Sequence, residues 1–301
     1  VLVFAASDKG GTGRSVTCAN IAFRCALNGL DIAYLDFDFG SPTAPAVFRL
    51  TAEAGRLAPR GMHSYLQGRM PEPSRLEMWT HSERTALRDR PAGAGRLCLY
   101  PGDRGGGEFP VSSAAVGHCL NLLLQLQTEF DVVFADLSAG RSFAVELALT
   151  VAARPELAGT VTRWLIFHRW THQHILATAD LVHGERGILS FGEALGYDRE
   201  ALADSIRYVR AAVPQETDQL RAAQEQWIRT LDAQLGAMAA DKRLGKAVTL
   251  GSVPLEPVLQ WQEQIITDRD ARESKVANIA TVEAYRSLAE ALRDDARWEA
   301  P

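Results

Sequence analysis

Seven short apolar runs, none alternating with polar residues, set the strongest limit on how this chain can fold. They cover residues 1–7, 32–38, 97–102, 131–137, 164–168, 206–213 and 247–254. A strand with one wet face alternates, whereas a strand covered on both faces does not. Segments with helical spacing lie between the runs. Residues 14–28 carry Cys18, Ile21, Ala22 and Cys25 on one face and stop at Asn28-Gly29, and residues 116–129 form another helix. This alternation predicts an α/β fold, with a mostly parallel central sheet of about seven or eight strands and helices on both faces. At 301 residues and 47% hydrophobic, residues 1–301 are enough for a single domain with a sizeable core.

Composition removes several classes of function. A net charge of -5 gives no general affinity for nucleic acid. Cys18, Cys25, Cys98 and Cys119 form no C-x-x-C pair, so neither a disulfide framework nor a zinc or iron–sulfur site is indicated. The chain opens on Val1 rather than methionine, which implies a trimmed or renumbered start. No signal segment and no apolar run of membrane-spanning length is visible, and a cytoplasmic location is expected.

Two regions depart from the pattern. Residues 55–110 form an insertion rich in Pro, Gly and Arg, with Arg56, Arg60, Arg69, Arg75, Arg84, Arg88, Arg90, Arg96 and Arg104. It reads as a solvated irregular insertion, with a local basic surface as the alternative. Residues 215–243 place Leu220, Trp227, Ile228, Leu231 and Leu235 on one stripe, a long amphipathic helix expected to pack on the core, with partner binding second.

The stretch SDKGGTGRSVT, residues 7–17, joins the first strand to the first helix. Gly10, Gly11 and Gly13 allow a tight turn and close approach of backbone to an anion. Their N–H groups, with those of Thr12 and the helix start at Arg14 and Ser15, make a concave set of donors suited to phosphate. Ser15 stands where such a loop's hydroxyl binds Mg²⁺. A glycine-rich turn without a ligand is the plainer alternative, and the strand–loop–helix context argues against it.

KGGTGRS resembles the deviant Walker A motif of the ParA/MinD family, usually K-G-G-x-G-K-[ST]. YLDFDFGSPT is similar to that family's D-x-D stretch, FDVVFADLSAG to its Walker B strand with switch II, LGSVPLEP to its late strand and loop beside the base, and KVANIATVEAYRSLAEAL to its closing helix. The resemblance implies ATP and Mg²⁺ as ligands. It implies that Lys9 reaches across a nucleotide-sandwich homodimer and that Asp38 orients the attacking water. Asp36 and Asp136, with Ser15, would hold the metal, and Pro254 would lie beside the base. The implied role is a switch ATPase that positions or regulates a protein partner.

Two residues depart from the family's pattern. Arg14 replaces the loop lysine, keeping the charge but as a wide planar fork. Val16 replaces a hydroxyl residue near the α-phosphate, and Thr17 is expected to point elsewhere. Binding with slow or partner-stimulated hydrolysis follows, and a nucleotide-binding scaffold without turnover is the alternative. The acidic end EALRDDARWEAP disfavours a membrane-binding helix. DNA binding would need the Arg-rich insertion and is otherwise unsupported. His168, His172 and His174 could be read as a metal cluster but lack a nearby carboxylate or cysteine at ligand spacing. Arg141 could be a phosphate sensor, a partner contact or a solvated arginine.

Overall fold

The computed structural model describes residues 1–51, 60–88, 90–214 and 221–299. Its strands are β1 (Leu2–Ser7), β2 (Ile32–Phe37), β3 (Leu76–Glu77), β4 (Leu97–Tyr100), β5 (Val132–Leu137), β6 (Thr162–Arg169), β7 (Ile206–Val213) and β8 (Thr249–Pro254). They form one sheet in the order β3-β4-β2-β5-β1-β6-β7-β8. Only the β3–β4 pairing is antiparallel. All seven expected strands are therefore present. The eighth, β3, is a two-residue edge strand inside the insertion and too short to leave a pattern.

Every residue of β1, β2, β4 and β5 is buried, which is why those runs read as continuously apolar. Successive side chains still point to opposite faces. Val3, Ala5, Tyr34 and Phe134 share one layer with the helices Arg14–Leu27 and Ile279–Arg293. Phe4, Leu35 and Ala135 share the other with Ser113–Glu129 and Phe143–Ala152. Fully burying a large apolar side chain contributes about 1.5–3 kcal/mol, so these two layers hold the sheet rigid beneath whatever its strand ends carry.

The helix Arg14–Leu27 is buried except at Ser15 and Leu27. A helix buried on all sides needs an outer cover, and residues 264–270 supply part of it. Asn20 donates to the Gln264 carbonyl (3.1 Å) and accepts from the Ile266 amide (2.7 Å). Arg24 donates to Asp268 (2.6 Å) and to the Ile266 carbonyl (2.9 Å). From the insertion, Arg84 grips both oxygens of Asp270 (2.7 and 2.8 Å) and the Ile265 carbonyl.

That contact revises the reading of the insertion. Within its described part lie β3, β4 and three short helices, Met62–Leu66, Met78–His81 and Thr85–Arg88. Arg75 and Arg96 both bind Glu129, Arg96 also binds Asp31, and Arg84 binds Asp270. These arginines staple the insertion to the body of the sheet, rather than forming a solvated basic face. Arg56 lies outside the described residues. The long helix runs from Ala222 to Asp241, and only Leu235 and Ala239 on it are buried. Trp227, expected in the core, is 64% exposed. Leu220 lies outside the described residues.

Candidate functional site

Strand register builds the site. Parallel pairing sets Asp36 of β2 directly beside Asp136 of β5, and Ala5 of β1 beside Asp136 on its other side. Registered neighbours in a parallel sheet point the same way, about 4.8 Å apart. Both aspartates are therefore at the carboxyl ends of central strands, where open α/β sheets present ligands. Ser7, the last residue of β1, lies at the same edge.

The loop leaving β1 delivers the anion donors. Gly11 and Gly13 have φ of 73° and 81°, a left-handed conformation that a side chain disfavours. Gly13 is the N-cap of the helix Arg14–Leu27, and no side chain caps its first turn. Those N–H groups are left for a ligand. A Cβ added at Gly10 or Gly11 would meet no atom within 4 Å, so the loop faces open space there. The cleft on this side, about 370 Å³, is lined by residues 9–16 with Asp38, Gly40, Ser41, Thr43 and Glu108, and by Ser138, Ala139 and Glu263. Lys9 lines it and makes no ion pair or hydrogen bond through its ammonium among the described residues.

A second cavity of about 250 Å³ lies on the other side of the same loop. Gly11, Thr12, Gly13 and Val16 face both, and Pro254 lines the second, beside Thr17, Arg169, Glu256 and Tyr285. Thr17, expected to point away, thus faces this cavity; a helix begun at Gly13 turns it under the loop. Ala212, at φ 53°, lines the same cavity next to a register shift between β7 and β8. Glu256 is a residue the sequence reading missed. Its buried carboxylate accepts from the Asn278 amide (2.8 Å), Asn278 Nδ2 (3.1 Å) and the Thr281 hydroxyl (2.7 Å), fixing this wall.

Arg14 is brought together with the acidic strand ends. Its Nε donates to Asp136 Oδ1 (2.5 Å) and its Nη2 to Asp38 Oδ2 (2.8 Å) and Ser15 Oγ (3.3 Å), while Nη1 donates to Ser7 Oγ (3.2 Å). Burial alone would lower the Arg14 pKa, but Asp136 and then Asp38 outweigh it and hold it above its ordinary value. The guanidinium is a permanent buried charge. The second oxygen of Asp136 accepts from the Tyr34 hydroxyl (3.0 Å). Asp36 is fully buried and accepts from two backbone amides, Asp38 (3.3 Å) and Ala44 (3.2 Å), so it shapes the turn after β2. Burial, then Asp136 and Asp38, pushes its carboxyl well above the usual carboxylate range.

The residues therefore fit a phosphate group but do not fit a magnesium ion as they stand. Ser15 Oγ and Asp136 Oδ1 already hold the guanidinium, Asp136 Oδ2 holds Tyr34, and the oxygens of Asp36 hold backbone. Among the described residues no group of three or more His, Cys, Asp or Glu side chains is placed to hold a metal. The histidines take different partners. His168 is buried on β6, while His174, on the helix His172–His183, bonds Asp8 at the start of the loop (3.1 Å). Arg141 binds Asp180 (2.5 Å) and the Arg186 carbonyl, at one exposed surface.

No protein-family model matches the chain, and no curated protein matches it. Solved structures do. The MinC:MinD cell division protein complex of Aquifex aeolicus superposes with a TM-score of 0.60 at 15% identity, over 97% of this chain and 95% of that one. The fold is that of MinD- and ParA-type ATPases. A plasmid partition protein of Borrelia burgdorferi, bound to AMPPNP, gives a TM-score of 0.61 at 12% identity over 98% of each chain. The pNOB8 ParA bound to nonspecific DNA gives 0.57 at 15% identity, over 99% of this chain and 98% of that one. In this MinD/ParA-like fold the loop of residues 9–16 leaves β1 at the same end of the sheet as Asp36 and Asp136, as the register of β1, β5 and β2 sets it. No helix among the described residues is long and apolar enough to cross a membrane.

Proposed function

We propose that the chain is a nucleotide-dependent switch of the ParA/MinD kind. It takes a nucleoside triphosphate, ATP by the resemblance, on the loop of Lys9 to Val16, with the base toward Pro254. It closes as a homodimer with Lys9 contributing across the interface, and in that state it positions or regulates a protein partner in the cytoplasm. The observation that carries this reading is the uncapped first turn behind left-handed Gly13, opening on a cleft at the carboxyl ends of the central strands.

Turnover is slow or partner-stimulated. Asp38, the residue expected to orient water, has its Oδ2 held by Arg14 at 2.8 Å, so one of its two oxygens is withdrawn from that task. Phosphoryl transfer is catalysed by positioning and charge stabilisation, and a misplaced cation costs several kcal/mol of barrier. The same bond supports the second reading, a nucleotide-binding scaffold without turnover. Phosphate release measured for the native chain, Arg14→Lys and Asp38→Ala separates the two. Low native turnover that rises in Arg14→Lys and vanishes in Asp38→Ala is expected for the switch. Calorimetry showing no uptake of any purine triphosphate by folded protein would overturn both.

A further inference from the structure

We propose that the Arg14 guanidinium takes the place of the divalent cation, so that this chain binds its nucleoside phosphate ligand without magnesium. The inference rests on the phosphate-loop reading above and concerns what neutralises that site.

Four oxygens from four segments converge on the one side chain. They are Ser7 Oγ at the end of β1, Ser15 Oγ in the first helical turn, Asp38 Oδ2 after β2 and Asp136 Oδ1 on β5, all between 2.5 and 3.3 Å from guanidinium nitrogens. Hydroxyl and carboxylate oxygens gathered from several elements around one point are what a hard cation collects. A cation is present there, covalently attached to the loop. Guanidinium has five N–H groups, and these bonds use four of them. A lysine ammonium on the same backbone is a compact point charge with three donors and no planar fork with which to bridge the two aspartates.

Most of the remaining oxygens of the three aspartates are not free to take over. Asp136 Oδ2 accepts from Tyr34, and both oxygens of Asp36 accept backbone amides. Arg14 is only 5% exposed, so a metal entering beside Ser15 and Asp136 must either expel a buried cation or sit next to it. Positive charges a few ångströms apart repel strongly where burial limits screening. With one guanidinium between two carboxylates, the cluster carries about one negative charge rather than two, and the uncapped N–H groups and Lys9 are left for the phosphates.

The test is equilibrium binding of a fluorescent ATP or ADP analogue to the full chain, in EDTA and in excess magnesium, for native protein and Arg14→Lys. Native protein is expected to bind in EDTA at least as tightly as in magnesium, within about two-fold. Arg14→Lys releases Ser15 and Asp136, and magnesium is expected to tighten its binding about ten-fold or more. Native protein that loses about ten-fold or more of its affinity in EDTA overturns the inference while leaving the phosphate-loop reading intact. The native comparison decides this even where Arg14→Lys fails to fold. Absence of binding by native protein in both buffers overturns the phosphate-loop reading, and the inference with it.

Discussion

Replacing Arg14 with methionine removes the guanidinium and keeps most of the side chain's bulk. What remains is Asp136, fully buried, and Asp38, 17% exposed, both bereft of their cation, with buried Asp36 alongside. Removing one partner of a buried ion pair costs about 3–5 kcal/mol, because the other charge stays buried. The Tyr34 hydroxyl still serves Asp136 and Asp38 has some access to water, so the lower end, about 3 kcal/mol, is expected here. At about 2–4 °C per kcal/mol for a domain approaching this size, the melting temperature falls by about 6–12 °C. The loss depends on pH in a definite direction. A carboxyl whose folded pKa lies above its unfolded one, as for Asp36, stabilises the fold fully only below the unfolded pKa, and that stability is lost as pH rises through the folded pKa. Burial likewise holds the Asp38 carboxyl above its ordinary value, and Arg14→Met removes the guanidinium that opposes this, so the gap from native protein narrows as pH falls toward about 5. Adding Asp136→Asn removes one unpaired charge and should recover part of the loss. Urea denaturation of the three proteins at two pH values measures the free energies, and a thermal melt measures the temperature shift. A loss in Arg14→Met below about 1 kcal/mol, or one that grows on acidification, would refute the view of Arg14 as the charge that holds these strand ends together.

Three further outcomes are expected. Gly13→Ala, at φ 81°, should cost about 1–2 kcal/mol in a thermal melt and abolish nucleotide uptake, because a left-handed alanine strains the turn that aims the first helical amides. Glu256→Gln puts an amide where the carboxylate accepts bonds from Asn278 and Thr281, and should destabilise by about 1–3 kcal/mol while weakening nucleotide binding at the Pro254 side. Burial, then repulsion from Arg210 and His174, pushes His168 down to about 4. With the folded pKa depressed, stability is present above the unfolded pKa near 6.5 and is lost as pH falls through the folded value. Roughly 3 kcal/mol is at stake, and His168→Leu should flatten that part of the pH–stability profile.

The parallel strands were legible because burial on both faces leaves a continuous apolar signature, and the phosphate loop because glycines between strand and helix have few other uses. Asp36, Asp38 and Asp136 could be placed at strand ends on sequence alone. Their mutual geometry could not, since it comes from the β2–β5 register, a fact about strands far apart in the chain. For the same reason the destination of Arg14 was hidden: its spacing shows where the Cα lies, while its partners come from β1, the turn after β2, and β5. The insertion misled because composition records arginine but not the Glu129, Asp31 and Asp270 that pair with it. The long helix misled because a stripe has the same period whether or not anything packs on it, and Trp227 shows that here much of it is bare.

The grip of Asn20, Arg24 and Arg84 on residues 264–270 has a consequence beyond packing. The helix that starts at the phosphate loop and the external segment over it are one mechanical piece, so a tilt of the loop carries outward along that segment. Three residues upstream of Gln264 stands Trp261, its indole 92% open to water. With the chain's five other tryptophans replaced by phenylalanine, the polarisation of that indole's emission should follow loading of the loop without any attached dye.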